Sequence, residues 1–241
     1  MKYSIMTDRG IIRETNQDNC MAACPDADSC FAVVCDGMGG AKAGDVASEI
    51  AVKTISERMA AAWRKNMSNE SVINLLTTAI TAANITIFDR AAEDPLLSGM
   101  GTTVVAAVVI GDRMVVAHAG DSRAYAFTDH LEQLTKDHSL VQDMVDAGLL
   151  TQAQAAVHPN RNYITRALGI TEKIEIDFSE FVFTGNEKVL LCSDGLTNFV
   201  KEKVITEILS SDDFENMASR LITAANENGG GDNITAVVLM K

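Results

Sequence analysis

Four aspartates, each set where an apolar, strand-like run meets a turn, constrain this chain more than any other feature. Asp36 follows the run Phe31–Cys35 and precedes Gly37. Asp121 follows Met114–Gly120, and Asp194 follows Val189–Ser193 and precedes Gly195. Asp232 stands behind Gly229, Gly230 and Gly231 and opens the run Ile234–Leu239. A strand fixes where its last residue points, and a neighbouring glycine lets backbone or ligand come close. Carboxylates delivered to one point repel each other, so a convergent set makes physical sense chiefly around hard divalent cations.

The periodicity between these points predicts the elements that deliver them. Short strands are expected near 3–7, 19–23 and 31–35. A helix follows, with Ala47, Ile50, Ala51, Ile55, Met59 and Ala62 at spacings of three and four. A second helix carries Ile73, Leu76, Ile80, Ala83 and Ile87, with Asn69 as its expected cap. Strands are expected at 101–110, 113–119 and 122–128, the first two joined at Gly111-Asp112. Residues 137–168 read as short helices and loops, broken by Gly148 and Pro159. Strands return at 174–183 and 187–193, helices at 201–209 and 213–227, and a last strand at 233–240. Strands cluster with strands and helices with helices, which predicts antiparallel sheets with helices packed outside, an α+β fold.

Composition narrows the function. The 241 residues suffice for one large domain or two small ones with a substantial core. A net charge of −13 disfavours nucleic acid and anionic membrane as partners, because phosphates reward Lys and Arg. No run of 18 apolar residues occurs and the N-terminus lacks the apolar core of a signal peptide, so neither a membrane span nor a leader is expected. Five cysteines, four of them at positions 20, 24, 30 and 35, contain no CxxC pair, and buried reduced thiols of a cytosolic protein are expected rather than zinc ligands.

Two local motifs fail on inspection. The glycine-rich segment 35–44 is not a phosphate-cradling loop, since Lys42 is followed by Ala43 and also occupies the last glycine position of GxGxxG. Its chemical centre is Asp36, with the Gly37 carbonyl free of any side chain. Segment 13–18, RETNQD, brings an arginine with forked donors suited to phosphate close to another carboxylate, Asp18. Singly, each aspartate is readable as an ordinary turn residue.

Together and in order, the segments RETNQD (13–18), VVCDGMGGAKAG (33–44), SGMGTT (98–103), AHAGDSRAY (117–125), LTKDHSLV (134–141), HPNRNYITRALG (158–169), LLCSDGLTN (190–198) and GGGDNITAVV (229–238) resemble the bacterial branch of the type 2C metal-dependent serine/threonine protein phosphatases. The resemblance spans essentially the whole chain. It implies a single catalytic domain over 1–241, built as a β-sandwich of two antiparallel sheets flanked by helices on both sides, with residues 137–168 as a small flap subdomain. It implies a dinuclear Mn²⁺ or Mg²⁺ centre that activates a water for direct attack on phosphorus. Carried over by residue, Asp36 bridges the two metals, the Gly37 carbonyl completes one site, and Asp194 and Asp232 hold the other. Asp18 supports the centre, Asp121 and Asp194 hold a third, weaker metal, and Arg13 binds the substrate phosphate. The implied partners are phosphoproteins and an opposing serine/threonine kinase, and the implied state is a cytoplasmic monomer.

One position departs from the eukaryotic pattern. Met38 stands where those members carry a histidine after the Asp-Gly pair, and methionine donates no proton, so metal-bound water is the expected proton source. Of the four histidines, His118 is expected on a sheet face, His130 in a polar turn, and His138 and His158 in the flap. Three other readings compete: a phosphoprotein-binding pseudophosphatase, a two-metal nuclease and a Ca²⁺ module. The intact Asp and Arg set opposes the first. The acidity opposes the second, and the lack of a D-x-[DN]-x-[DN]-G loop opposes the third.

Overall fold

Alternation along the strands divides the apolar residues between two faces, and both faces are covered. The computed structural model describes residues 1–39, 43–184 and 187–241. One sheet contains β1 (Lys2–Asp8), β11 (Ile234–Met240), β10 (Lys188–Cys192), β7 (Arg123–Phe127) and β8 (Leu131–Gln133), in that order. The other runs β2 (Asp18–Asp26), β3 (Ser29–Met38), β5 (Val104–Ile110), β6 (Arg113–Ala119) and β9 (Asp177–Val182), with the short β4 (Gly101–Thr102) pairing on the end of β3. Every pairing is antiparallel.

In β3, Phe31, Val33 and Cys35 face α1 (Gly44–Ala62) and α2 (Asn69–Glu93), where they meet Ala47, Ile55, Leu76 and Ile80. The intervening Cys30, Ala32 and Val34 face the second sheet and join Val237 and Leu239 of β11 between the sheets. The other face of β11, Ala236 and Val238, packs under α6 (Glu202–Leu209) and α7 (Met217–Glu227) through Leu209, Leu221 and Ile222. Four layers result, helices–sheet–sheet–helices, as expected. Burial of both faces explains why these strands read as unbroken apolar runs rather than as apolar–polar alternation.

Several details differ from the sequence reading. The expected strand over 101–110 is split at Thr103, where the chain is crimped onto Asp36. The cap of α2 is Ser68, not Asn69. Ser68 is extended and its hydroxyl accepts the Ser71 N–H at 3.2 Å. The edge strand β8, a 3-10 turn at Pro95–Leu97 and the four-residue helix α5 (Asp194–Thr197) are too short to leave a periodic signal. Within 137–168 the structure has α3 (Leu140–Asp146), capped by Ser139, and α4 (Gln152–Ala155), with a capping box from Thr151 and Gln154. Cys30, Cys35 and Cys192 are buried, whereas Cys20 and Cys24 are only half-buried. By length and composition α2 could cross a membrane. Here it is a core helix whose Val72, Leu76, Ala79, Ile80, Ala83 and Ile87 are buried.

Leu76 is fully buried between α2 and the sheet. Leu76→Ala is expected to cost about 2–5 kcal/mol and Ser68→Ala about 1 kcal/mol, read from urea unfolding of the two variants. Equal costs would show that the helix is held by its cap rather than by its buried face.

Candidate active site

Strand ends from both sheets supply one cavity. Its volume is about 490 Å³, and Arg13, Gln17, Asp36, Gly37, Met38, Thr103, Asp121, Asp194, Asp232 and Asn233 line it, together with Asn162 and Ile164 from the segment after α4. Asp36, Asp121, Asp194 and Asp232 therefore converge. Asp36 does not end its strand as the sequence suggested, because β3 continues through Gly37 and Met38 to pair with β4. Asp121 follows β6, Asp194 opens α5 and Asp232 precedes β11.

Asp18 stands behind this rim. It is the first residue of β2, directly opposite Asp36 in the β2–β3 ladder, and it is buried. Its Oδ2 accepts from the Ser193 and Thr235 hydroxyls, each at 2.7 Å, while its Oδ1 is buried with no protein partner. A buried carboxylate oxygen with an open valence beside four other carboxylates is what a hard cation would satisfy. The carboxylates around it offer hard oxygen donors, which suits Mg²⁺ or Mn²⁺ better than a thiophilic metal.

The electrostatics carry the same sign. Burial, and then the negative charges of Asp18, Asp194, Asp121 and Asp232, hold the Asp36 carboxyl well above its ordinary range. Burial first, then Asp194 and Asp232, pushes Asp18 up to about 7 against the opposing Ser193 and Thr235 bonds. Burial and Asp194 push Asp121 up to about 7. Burial and Asp232 push Asp194 up to about 6, against the pull of Arg123 and a bond from Asn198. Without compensating positive charge, this cluster keeps protons that ordinary carboxylates lose.

Hydroxyls and amides that the sequence reading did not assign hold the carboxylates in place. The Asp36 carbonyl accepts from the Thr103 N–H at 2.9 Å and from the Thr102 hydroxyl at 2.9 Å. The Asp36 N–H donates to the Thr103 hydroxyl, which also pairs with the Ser122 hydroxyl at 2.7 Å. Asn233 donates from Nδ2 to the Arg9 and Thr15 carbonyls and accepts the Gln17 N–H, so it ties the loop carrying Arg13 to the Asp232 turn. Arg13 donates to Asp232 Oδ2 at 2.9 Å and is itself half-exposed. Ser193, Asn233 and Thr235 had one advance signal, their closeness to aspartates in Ser-Asp-Gly and Asp-Asn-Ile-Thr, whereas Thr102 and Thr103 lie far from Asp36 in the chain.

Two glycines are fixed by close approach. A Cβ on Gly37 would lie 2.0 Å from the Gly44 carbonyl oxygen at the start of α1, and one on Gly195 would lie 1.9 Å from the Asn233 carbonyl oxygen. The backbone needs glycine at 37 for this helix–strand contact, a reason independent of any carbonyl ligand. Gly40, Ala41 and Lys42 of the glycine-rich segment lie outside the described residues.

No histidine lines the cavity among the described residues, and Met38 occupies the rim. His130 is exposed against Asp129, and His158 accepts the Asn160 N–H within segment 137–168. His118 bonds the Lys136 carbonyl through Nε2 at 2.8 Å and stacks on His138. His138 Nδ1 accepts the Gly120 N–H at 3.1 Å, so the neutral ring carries its proton on Nε2, which faces Asp177 Oδ2 at 3.2 Å. Arg166 bonds Asp177 at 2.7 Å and lies 3.1 Å from that same ring nitrogen. His118, His138 and Asp177 lie close enough together for a cation. The guanidinium already supplies the positive charge and the ring nitrogen is protonated, so the cluster is an anchor that ties segment 137–168 to β9 and to the Gly120–Asp121 turn. Arg123 adds a second tie through a forked bond to Asp137, with contacts of 2.6–3.1 Å. A further cavity of about 610 Å³ lies under this segment, lined by Gln142, Gln152, Val157 and Arg161, and it shares Asp121, Asn162 and Asp194 with the first.

The raised carboxylates fix a pH dependence. Folded Asp18 and Asp121 titrate near 7, against an ordinary value of 3.8, so the folded state binds more protons than the unfolded state between those limits. The stability of metal-free protein therefore falls as pH rises through that window. His138, held below its ordinary value by burial, acts in the opposite sense, but as one group against four. Calorimetry in chelator is expected to give a lower Tm at pH 7.5 than at pH 5.5, with a smaller difference in Asp18→Asn. A Tm that climbs steadily over that interval would contradict the repulsive cluster.

Comparison with known proteins places this arrangement. The Protein phosphatase 2C family profile matches residues 12–237. The chain is 41% identical over 244 aligned residues to the serine/threonine phosphatase Stp of Listeria monocytogenes, covering 99% of this chain and 95% of that protein. The crystal structure of the serine/threonine phosphatase Stp1 from Staphylococcus aureus superposes with a TM-score of 0.92 at 33% identity, covering 100% of this chain and 94% of that one. The catalytic domain of the serine/threonine protein phosphatase PstP, in complex with two manganese ions, superposes with a TM-score of 0.85 at 34% identity, covering 98% and 96%. The β-sandwich with its carboxylate-lined cavity thus belongs to the Protein phosphatase 2C family, and the chain is a protein serine/threonine phosphatase of the bacterial type.

Proposed function

We propose that this enzyme removes phosphate from phosphoserine and phosphothreonine in proteins by direct attack of water on phosphorus, with no phosphoenzyme intermediate. The observation that carries this reading is the convergence of Asp36, Asp121, Asp194, Asp232 and Arg13 on one cavity, with Asp18 behind them. Asp36 and the Gly37 carbonyl, with Asp194 and Asp232, would hold a pair of Mn²⁺ or Mg²⁺ ions, supported by Asp18. Asp121 and Asp194 would hold a third, weaker one. When bound, such a pair supplies Lewis acidity toward a water and toward the phosphoryl oxygens. The two manganese ions of the PstP complex support this count.

The chain's own residues supply the rest. Arg13 presents forked donors to the phosphoryl group, and its bond to Asp232 orients the guanidinium over the carboxylates. Thr102 and Thr103 fix the backbone at Asp36, and Ser193 and Thr235 fix Asp18. Met38 offers no proton and no histidine lines the cavity among the described residues, so the leaving alkoxide takes its proton from water. That Asn162 and Ile164 line the cavity supports reading 137–168 as a flap beside the bound substrate. In this reading residues 1–241 form one catalytic domain. It acts as a cytoplasmic monomer on phosphoproteins, opposite a serine/threonine kinase, and its acidity sets it apart from nucleic-acid enzymes.

Hydrolysis of p-nitrophenyl phosphate and of a phosphothreonine peptide is expected to require Mn²⁺ and to stop in chelator. Arg13→Ala is expected to lower kcat/KM on the peptide by about 10²–10³. Ser193→Ala, which removes a hydroxyl that donates to Asp18 and accepts the Thr235 N–H, is expected to raise the Mn²⁺ requirement about 10–100-fold. Asp36→Asn and Asp194→Asn should exceed that loss. Full turnover in chelator, or unchanged turnover in Asp36→Asn, would sink the proposal.

A further inference from the structure

The two strands that present Asp18 and Asp36 also bring two thiols together at their far end. Cys24 lies in β2 and Cys30 in β3, on either side of the hairpin turn, where the β2–β3 register shifts between Ala23 and Asp26. Their Sγ atoms are 2.6 Å apart, closer than two unbonded sulfurs normally approach. Both side chains belong to the core between the sheets. Cys30 is fully buried, whereas Cys24 is half-buried. The remaining thiols are separated from this pair by the pleat or by a whole layer. Cys35 points to the opposite face of β3, into the core under α1 and α2, and Cys192 lies in the core under α6 and α7. Cys20 shares the inter-sheet face but stands four residues back along β2.

We propose that Cys24 and Cys30 are a selective oxidation site and form a reversible disulfide when the enzyme meets a peroxide. The Cys24 sulfur attacks one peroxide oxygen, giving a sulfenic acid and one water. The Cys30 sulfur then displaces the second oxygen as water, forming the S–S bond and releasing its proton. The two thiols together lose two electrons and two protons, and one peroxide becomes two waters. Exposure assigns the first step to Cys24. Burial, which pushes the Cys30 thiol strongly up, keeps that partner protonated until the sulfenic acid lies against it.

The location predicts what the bond does. Cys24 is six residues from Asp18 and Cys30 six residues from Asp36, about 20 Å along each strand. The staple therefore stiffens the hairpin that carries both carboxylates without entering the cavity. Its signature is gained stability rather than lost activity.

The test is mild hydrogen peroxide treatment of the full chain, alkylation of the remaining thiols and non-reducing peptide mapping. No Lys or Arg occurs between Arg13 and Lys42, so trypsin leaves four cysteines on one peptide, whereas cleavage before Asp26 and Asp28 separates Cys24 from Cys30. The expected product is a Cys24–Cys30 cross-linked peptide with Cys20, Cys35 and Cys192 alkylated. Tm should rise by a few degrees, p-nitrophenyl phosphate hydrolysis should be unchanged, and dithiothreitol should restore the starting state. Cys24→Ser should fold, keep full activity and lose both the cross-link and the Tm shift. Oxidation of Cys24 to sulfinic acid without the cross-link, or cross-links spread equally over Cys20 and Cys35, would overturn the proposal.

Discussion

Mutual repulsion among buried carboxylates is the constraint around which the rest of the molecule is arranged. Asp18, Asp36, Asp121 and Asp194 are each pushed up by burial and by one another, which is an unfavourable arrangement for a chain on its own. Such a cluster persists only if the scaffold that presents it is stiff. The scaffold here is a pair of sheets buried on both faces, with a core on either side of each. The site lies where strand ends from both sheets meet, so no single element has to bend to bring the charges together.

Stiffness alone does not orient a carboxylate, and a ring of hydroxyls and one amide does that work. Thr102 and Thr103 clamp the backbone of Asp36, Ser193 and Thr235 take up one oxygen of Asp18, and Asn233 binds the Arg13 loop to the Asp232 turn. Both hydroxyls that reach Asp18 donate to Oδ2, which leaves Oδ1 buried without a protein partner. Segment 137–168 is held by charges of its own, Arg123 with Asp137 and Arg166 with Asp177 and His138. These charges also reach the carboxylates, since Arg123 pulls Asp194 and Asp121 down and Asp137 pushes Asp121 up.

Much of this was legible in the sequence because the relevant signals are local. Apolar runs of strand length, helical spacing in Ala47–Ala62 and Ile73–Ile87, and aspartates beside glycines all report on a few neighbouring residues. The short elements were not legible. Helix α5, strand β8 and the crimp at Thr103 span too few residues for any periodicity and exist because of what they contact. The cap of α2 fell on Ser68 rather than Asn69, since both residue types cap well and only the backbone angle distinguishes them.

By itself the sequence determined the α+β class through its hydrophobic period, and through its ordered motifs, by resemblance, it pointed to the layer order and to the carboxylates and Arg13 as site candidates. Only the tertiary structure decided which oxygen of Asp18 is left open, that Arg13 leans on Asp232, that Gly37 is required by Gly44, and that His138 faces Asp177 rather than the cavity. It also decided that two of five thiols touch. Each of these depends on contacts between residues far apart in the chain, or on which side of a pleat a side chain falls. A distance of that kind has no local signature, because it is set only when the two sheets close on each other.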